Sequence, residues 1–84
     1  MTNKEILKKQ IIYRSTHRGS KEMDILLGEF VKTHINNFDN DDLNNLKEVL
    51  SVEDEILYKW YLGKEDNKSI PNNKISRMLK AFKI

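Results

Sequence analysis

The chain has 84 residues, of which a third are charged, with a formal net charge of +2 and no cysteine. A chain of this length makes one domain, residues 1–84, with a small core and a narrow stability margin. The composition excludes a disulfide framework, and no stretch approaches the ~18 consecutive apolar residues that a membrane-spanning helix needs.

The first two predicted helices lie on either side of a short polar turn. A Thr-x-x-Glu start signal at Thr2 predicts a helix over about 3–15. The second helix is predicted to begin near Gly19–Lys21 and to run to about Ile35, because its apolar residues have the spacing of a core-facing helix. The expected faces are Leu7, Ile11 and Arg14 in the first helix, and Met23, Leu26, Leu27, Phe30 and Val31 in the second.

Three further helices are predicted in the second half of the chain. Asp39 is the expected N-cap of the third, after a break at residues 36–38. The fourth is short, about 53–62, and Gly63 is its expected stop. After a polar loop over 64–70, Pro71 is expected in the first turn of the fifth. The expected core residues here are Leu43, Leu46, Leu50, Leu57, Trp60, Tyr61, Ile75, Met78, Leu79 and Phe82.

The helical period runs through almost the whole chain, which predicts an all-α fold, a compact antiparallel bundle of five short helices. Charge is segregated along the chain. Residues 1–34 carry seven basic and four acidic groups, and residues 35–66 carry three basic and nine acidic groups. Residues 67–84 carry five basic groups and no acidic group. This pattern is typical of solvated helix faces, or of a surface that orients a partner. The basic end also suggests nucleic-acid binding, which the acidic segment before it disfavours; its cations are Lys68, Lys74, Arg77, Lys80 and Lys83.

No pattern in the sequence suits an active site. His17 and His34 lie far apart without a carboxylate–histidine ligand pattern, and no cysteine is present as ligand or nucleophile. The three glycines form no phosphate-binding loop. Glu22 and Asp24 are two residues apart and therefore point away from each other on a helix. We predict a protein that is not an enzyme, with no catalytic residue and no metal site.

The segment from Arg18 to Glu22 has the character of a recognition surface. Gly19 as N-cap would place Glu22 at the third helical position, facing the positive end of the helix dipole. The chain has twelve lysines and only three arginines, yet Arg14 and Arg18 both flank this turn. A planar guanidinium suits bidentate recognition, and a glycine lets another backbone come close. We therefore expect an exposed docking turn; the alternative is a capping glutamate, a turn glycine and solvated charge.

The aromatic residues divide into buried and exposed candidates. Trp60 shares a helix face with Leu57 and is predicted to be in the core. Tyr13 and Tyr58 fall on other faces, so we expect them to be available for a partner contact.

The stretch from Tyr13 to Leu27, Tyr-Arg-Ser-Thr-His-Arg-Gly-Ser-Lys-Glu-Met-Asp-Ile-Leu-Leu, resembles the Arg-Gly-x-x-Glu region of the succinate dehydrogenase assembly factors. These are the small bacterial flavinylation factors and their mitochondrial relatives. The resemblance continues through Phe30, the helix after Asp39 and the segment Leu57-Tyr-Lys-Trp60. It covers about residues 6–62 and, more loosely, the final helix. By position, Arg18, Gly19 and Glu22 match the motif, and Asp24 matches the acid that often follows it.

The resemblance implies a five-helix fold and a chaperone-like role. Such factors bind the flavoprotein subunit of succinate dehydrogenase, in some bacteria that of fumarate reductase, and promote covalent attachment of FAD to a histidine of that subunit. It implies that FAD is attached to the client, with no cofactor held stably by this chain. Separately, we expect no nucleic-acid partner, because of the acidic segment, and no membrane insertion, because no apolar stretch is long enough. Because no presequence is apparent, we expect the bacterial cytoplasm; the mitochondrial matrix would apply only to an organellar relative. The partner-binding candidates are Arg18, Gly19, Glu22, Asp24, Arg14, Tyr13 and Tyr58.

Two positions depart from the family pattern. Ser20 stands where an apolar residue is usual, and Ile56 stands where an acid is frequent, with Glu55 displaced by one. Neither lies at a defined position of the Arg-Gly-x-x-Glu motif. A small nucleic-acid-binding module and a generic protein-interaction module are the alternatives to an assembly factor.

Overall fold

A computed structural model describes residues 2–64 and 69–83, and within these ranges the chain contains helices and no β-strand, so the all-α prediction is confirmed. The first pair is α1 (Asn3–Thr16) and α2 (Lys21–His34), and α2 continues into a 3₁₀ turn over Ile35–Asn37. The remaining helices are α3 (Asn40–Leu50), α4 (Asp54–Tyr61) and α5 (Lys74–Ala81). No helix in the described part is both long enough and apolar enough to cross a membrane.

The helices pack around one hydrophobic core, with α1 against α2 and α3, and α3 also against α5. The stripe predicted for α2 is fully buried, and so are the predicted core residues of α3. Leu57 and Trp60 of α4 are buried as predicted, as are Ile75 and Leu79 of α5.

Five residues differ from their expected burial. Arg14 is exposed, because the inner face of α1 continues from Ile11 to Ser15, whose hydroxyl donates to the Ile12 carbonyl at 2.9 Å. The other four, Leu7, Tyr61, Met78 and Phe82, are half-buried and pack at the edge of the core. A helix of eight residues, as α5 is, has a narrow buried face, and the outer members of its stripe reach solvent.

The predicted helix ends are mostly confirmed. The Thr2 hydroxyl accepts the Glu5 N–H at 3.1 Å, and the Asp39 carboxylate accepts the Asp42 N–H at 2.8 Å as N-cap of α3. After α4, Gly63 has φ +76°. Its N–H donates to the Trp60 carbonyl at 3.0 Å, and the next N–H donates to the Lys59 carbonyl at 3.0 Å. This is the Schellman pattern, for which glycine is the preferred residue.

Helix α2 begins at Lys21, within its predicted range, but two residues assigned to helix starts are misplaced. Ser20, not Gly19, caps α2, since its hydroxyl accepts the Met23 N–H at 3.3 Å. Pro71 lies before α5 rather than in its first turn, because Asn73 and Ser76 form a reciprocal capping box at that end. Most of the loop predicted over 64–70, with the basic residue Lys68, lies outside the described residues.

Candidate functional site

The Arg18 side chain lies inside the molecule rather than at its surface. It is 10% exposed, and its Nε donates to Asp54 Oδ1 at 2.6 Å. Its Nη1 donates to the Leu50 carbonyl at 2.7 Å, and its Nη2 donates to the Val52 carbonyl at 2.9 Å. The predicted exposure of Arg18 is therefore wrong. The planar guanidinium serves acceptors at the end of α3, in the following loop and at the start of α4.

Asp54 binds the turn a second time through the backbone. Its Oδ2 accepts the Gly19 N–H at 2.5 Å, while its Oδ1 accepts from Arg18. A Cβ placed on Gly19 would lie 3.1 Å from Oδ2, well inside ordinary van der Waals contact. The φ angle of Gly19 is not positive, so the position requires space rather than an unusual backbone conformation. We call the Asp54 carboxylate, with the Arg18 and Gly19 donors that it binds, the Asp54 clamp.

A second carboxylate fixes the turn from the α2 side. Asp24 Oδ1 accepts the Arg18 N–H at 2.6 Å, and Asp24 is half-buried. Because Ser20 is the N-cap, Glu22 lies at the second helical position rather than the third that was predicted. Glu22 is exposed on the first turn of α2, where a carboxylate also complements the helix dipole.

The exposed candidates lie on both helices that flank the turn. Tyr13 is 63% exposed, which confirms its predicted exposure, and its ring stacks on His17 with 4.0 Å between centroids and 15° between planes. Arg14 is exposed beside it. Tyr58 is half-buried and packs against the core, so its predicted exposure is only partial. Of the predicted partner-binding residues, Tyr13, Arg14, Gly19 and Glu22 are thus exposed, and so is His17 beside Tyr13.

A groove of about 660 Å³ between α1 and α2 adjoins the turn, and the sequence interpretation missed it. Ile12 and Ile25 line it and are each 45% exposed. Thr16 and Asp24 also line it, which makes it continuous with the turn. The signal for it was in the sequence, since Ile12 and Ile25 are large apolar residues that fall outside the core stripes of their helices.

Two cations of the basic end make contacts within the chain. Lys74 Nζ lies 3.6 Å from Asp42 Oδ1. Lys80 Nζ donates to the Trp60 carbonyl at 3.0 Å and lies 4.8 Å from the centroid of the Trp60 ring. These contacts give both lysines a role in packing α5 against α3 and α4. In the described ranges, no three His, Asp or Glu side chains are grouped as a metal site.

Comparison with known proteins places the chain in one family. Residues 9–83 match the sequence profile of the family described as flavinator of succinate dehydrogenase. The chain is 35% identical over 63 residues to the mitochondrial succinate dehydrogenase assembly factor 2 of Arabidopsis thaliana, which covers 75% of this chain and 34% of that protein. It is 34% identical over 79 residues to the protein of the same name from Scheffersomyces stipitis, with coverages of 93% and 53%.

A bacterial relative is also similar. The FAD assembly factor SdhE of Acetobacter pasteurianus is 29% identical over 75 residues, with coverages of 89% of this chain and 66% of that protein. The chain thus spans between about a third and two thirds of the length of these three relatives. No solved structure matches the chain.

Proposed function

The chain belongs to the family of flavinators of succinate dehydrogenase, and we propose that it binds the flavoprotein subunit of that enzyme and promotes covalent attachment of FAD to it. The match over residues 9–83 carries the proposal. The flavoprotein subunit of fumarate reductase is a second proposed client of the same kind. The bacterial cytoplasm stays the expected compartment, and no nucleic-acid partner is expected.

The proposed role is that of a chaperone-like binding partner rather than an enzyme. Covalent attachment requires the flavin ring and a client histidine to be held in one geometry, and the bond forms between those two groups. A protein that binds one client conformation more tightly than the others raises the population of that conformation. Changing a population ratio from 1:99 to 99:1 requires about a 10⁴-fold difference in affinity. Binding of the client is therefore sufficient for the role, without a catalytic residue or a stably bound cofactor in this chain.

The surface around the turn supports a client contact. Glu22 presents a carboxylate that can accept charge-assisted hydrogen bonds from a client cation or backbone N–H. Ile12 and Ile25 add exposed apolar area beside it, and Tyr13 adds an exposed aromatic ring. Apolar and aromatic area next to a few charged groups is the usual composition of a protein interface. We propose that Glu22 supplies the charged contact. The space that a Cβ on Gly19 would need is occupied by Asp54 Oδ2, so the missing side chain of Gly19 does not open room for the client.

The test is covalent flavin fluorescence of the client subunit in a denaturing gel, with FAD present and with or without this chain. We expect the fluorescence to rise with the chain, and Glu22→Ala to abolish the rise while the far-UV circular dichroism stays unchanged. Glu5→Ala is the matched control, because Glu5 is also an exposed glutamate in the first turn of a helix, at the far end of α1. Full flavinylation with folded Glu22→Ala would contradict the role of Glu22. No response to the unmodified chain would contradict the function itself.

A further inference from the structure

The turn that carries the Arg-Gly pair is fixed by a residue from a distant part of the chain. Asp54 lies at the first position of α4, where a carboxylate would ordinarily serve its own helix end. Instead, its two oxygens accept from Arg18 Nε at 2.6 Å and from the Gly19 N–H at 2.5 Å. The Asp54 side chain is 21% exposed; its hydrogen bond with Arg18 is partly buried, whereas its hydrogen bond with the Gly19 N–H lies at the surface. The carboxylate is thus used to hold the α1–α2 turn.

Successive backbone amides of the turn are bound by carboxylates from two sides. The Arg18 N–H donates to Asp24 of α2, and the Gly19 N–H donates to Asp54 of α4. Hydrogen bonds to charged acceptors are shorter and stronger than those between neutral groups. A surface turn is ordinarily among the more mobile parts of a fold, and ordering it on binding lowers affinity. The two carboxylates remove that cost by ordering the turn in the free protein.

The same carboxylate accounts for glycine at position 19. A Cβ there would lie 3.1 Å from Asp54 Oδ2, and the φ angle gives no separate reason for glycine. An alanine at position 19 therefore requires the carboxylate or the turn to shift by a few tenths of an ångström. Displacing the carboxylate also disturbs its bond to Arg18. The position of Asp54 therefore explains both its hydrogen bonds to the turn and the need for glycine at position 19.

We propose that Asp54 is a positioning residue of the docking turn. It holds Arg18 and Gly19 so that Glu22 and the adjoining surface are presented to the client in one arrangement. It acts through the turn rather than by touching the client. This inference rests on the proposed function, because it assigns Asp54 a part in recognising the same flavoprotein subunit.

The test is a double-mutant cycle of Gly19→Ala and Asp54→Ala in the full chain. The readout is binding of the isolated flavoprotein subunit by isothermal titration calorimetry. We expect each single change to weaken binding by about tenfold or more, since either one releases the preordered turn. In the Asp54→Ala background, Gly19→Ala should have little further effect. The loss of affinity in the double variant should therefore be smaller, by about threefold or more, than the product of the two single losses. Glu53→Ala is the control, because Glu53 is an exposed neighbouring carboxylate that makes no side-chain cap bond.

A second readout separates positioning from general stability. Hydrogen exchange of the Gly19 amide should become about tenfold faster in Asp54→Ala, while exchange of a core amide such as Leu46 keeps its protection. If Asp54→Ala does not fold, Asp54→Asn keeps the shape and one acceptor, and it should show the same loss to a smaller degree. Unchanged binding by folded Asp54 variants, or independent effects in the cycle, would overturn the inference. Absence of binding by the unmodified chain would instead contradict the proposed function.

Discussion

Replacing Gly28 by alanine should stabilise the protein, although a glycine inside a packed helix pair suggests the opposite. Gly28 lies in the interior of α2, which runs from Lys21 to His34. A Cβ there would lie 3.6 Å from Thr16 Cγ2, an ordinary van der Waals contact. Alanine exceeds glycine in helix propensity by about 0.8–1.0 kcal/mol. We therefore expect the free energy of unfolding to rise by about 0.5–1 kcal/mol, which for a domain of this size raises Tm by roughly 2–8 °C.

Gly63→Ala is the matched control, and we expect it to lower the free energy of unfolding instead of raising it. Gly63 has φ +76°, and a Cβ there would meet nothing within 4 Å, so no packing gain offsets the strain. The left-handed conformation costs an L-residue about 1–2 kcal/mol. Urea denaturation followed by far-UV circular dichroism should move the two midpoints in opposite directions with the slope unchanged. A fall in stability for Gly28→Ala, or shifts of the same sign in both variants, would refute the reasoning.

Three other substitutions test the core and the mostly buried side chain of Arg18. Arg18→Lys keeps the charge but loses the planar guanidinium that donates to three acceptors. Urea denaturation should therefore show the free energy of unfolding lowered by about 1–3 kcal/mol. An unchanged free energy of unfolding would show that the guanidinium geometry is dispensable. Leu57→Ala opens a cavity at a fully buried position and should lower it by about 2–5 kcal/mol. Leu62→Ala, at a position 46% exposed, should change it by no more than about 0.5 kcal/mol, and equal losses in the two leucine variants would contradict the described core.

The helices and their buried stripes were predictable because the signals for them are local. The spacing of Leu26, Leu27 and Phe30 identifies the inner face of α2 without knowledge of its neighbours. Caps are equally local, and the error at α2 was avoidable, since serine ranks above glycine as an N-cap. Pro71 was misplaced because proline suits a first helical turn without requiring one, and Asn73 supplies the stronger start signal.

The surroundings of Arg18 were not predictable in this way. The sequence indicated that arginine is used sparingly and for its geometry, and the structure shows that geometry in use. The acceptors, however, lie 32 to 36 residues further along the chain. No local period pairs Arg18 with Asp54, because their proximity depends on how α1 and α3 pack. An exposed docking arginine and a buried arginine therefore have the same sequence pattern.

The long span of the Arg18 bonds also sets when the turn takes its final shape. Helices form from local contacts within about a microsecond, whereas contacts between distant segments await the closure of a long loop. A chain still being synthesised has α1 and α2 complete before Leu50, Val52 and Asp54 have been added. Its turn at that stage lacks all three acceptors of the Arg18 side chain. We expect the turn to reach its final shape last, so that only the finished protein captures a client and an incomplete chain does not occupy one.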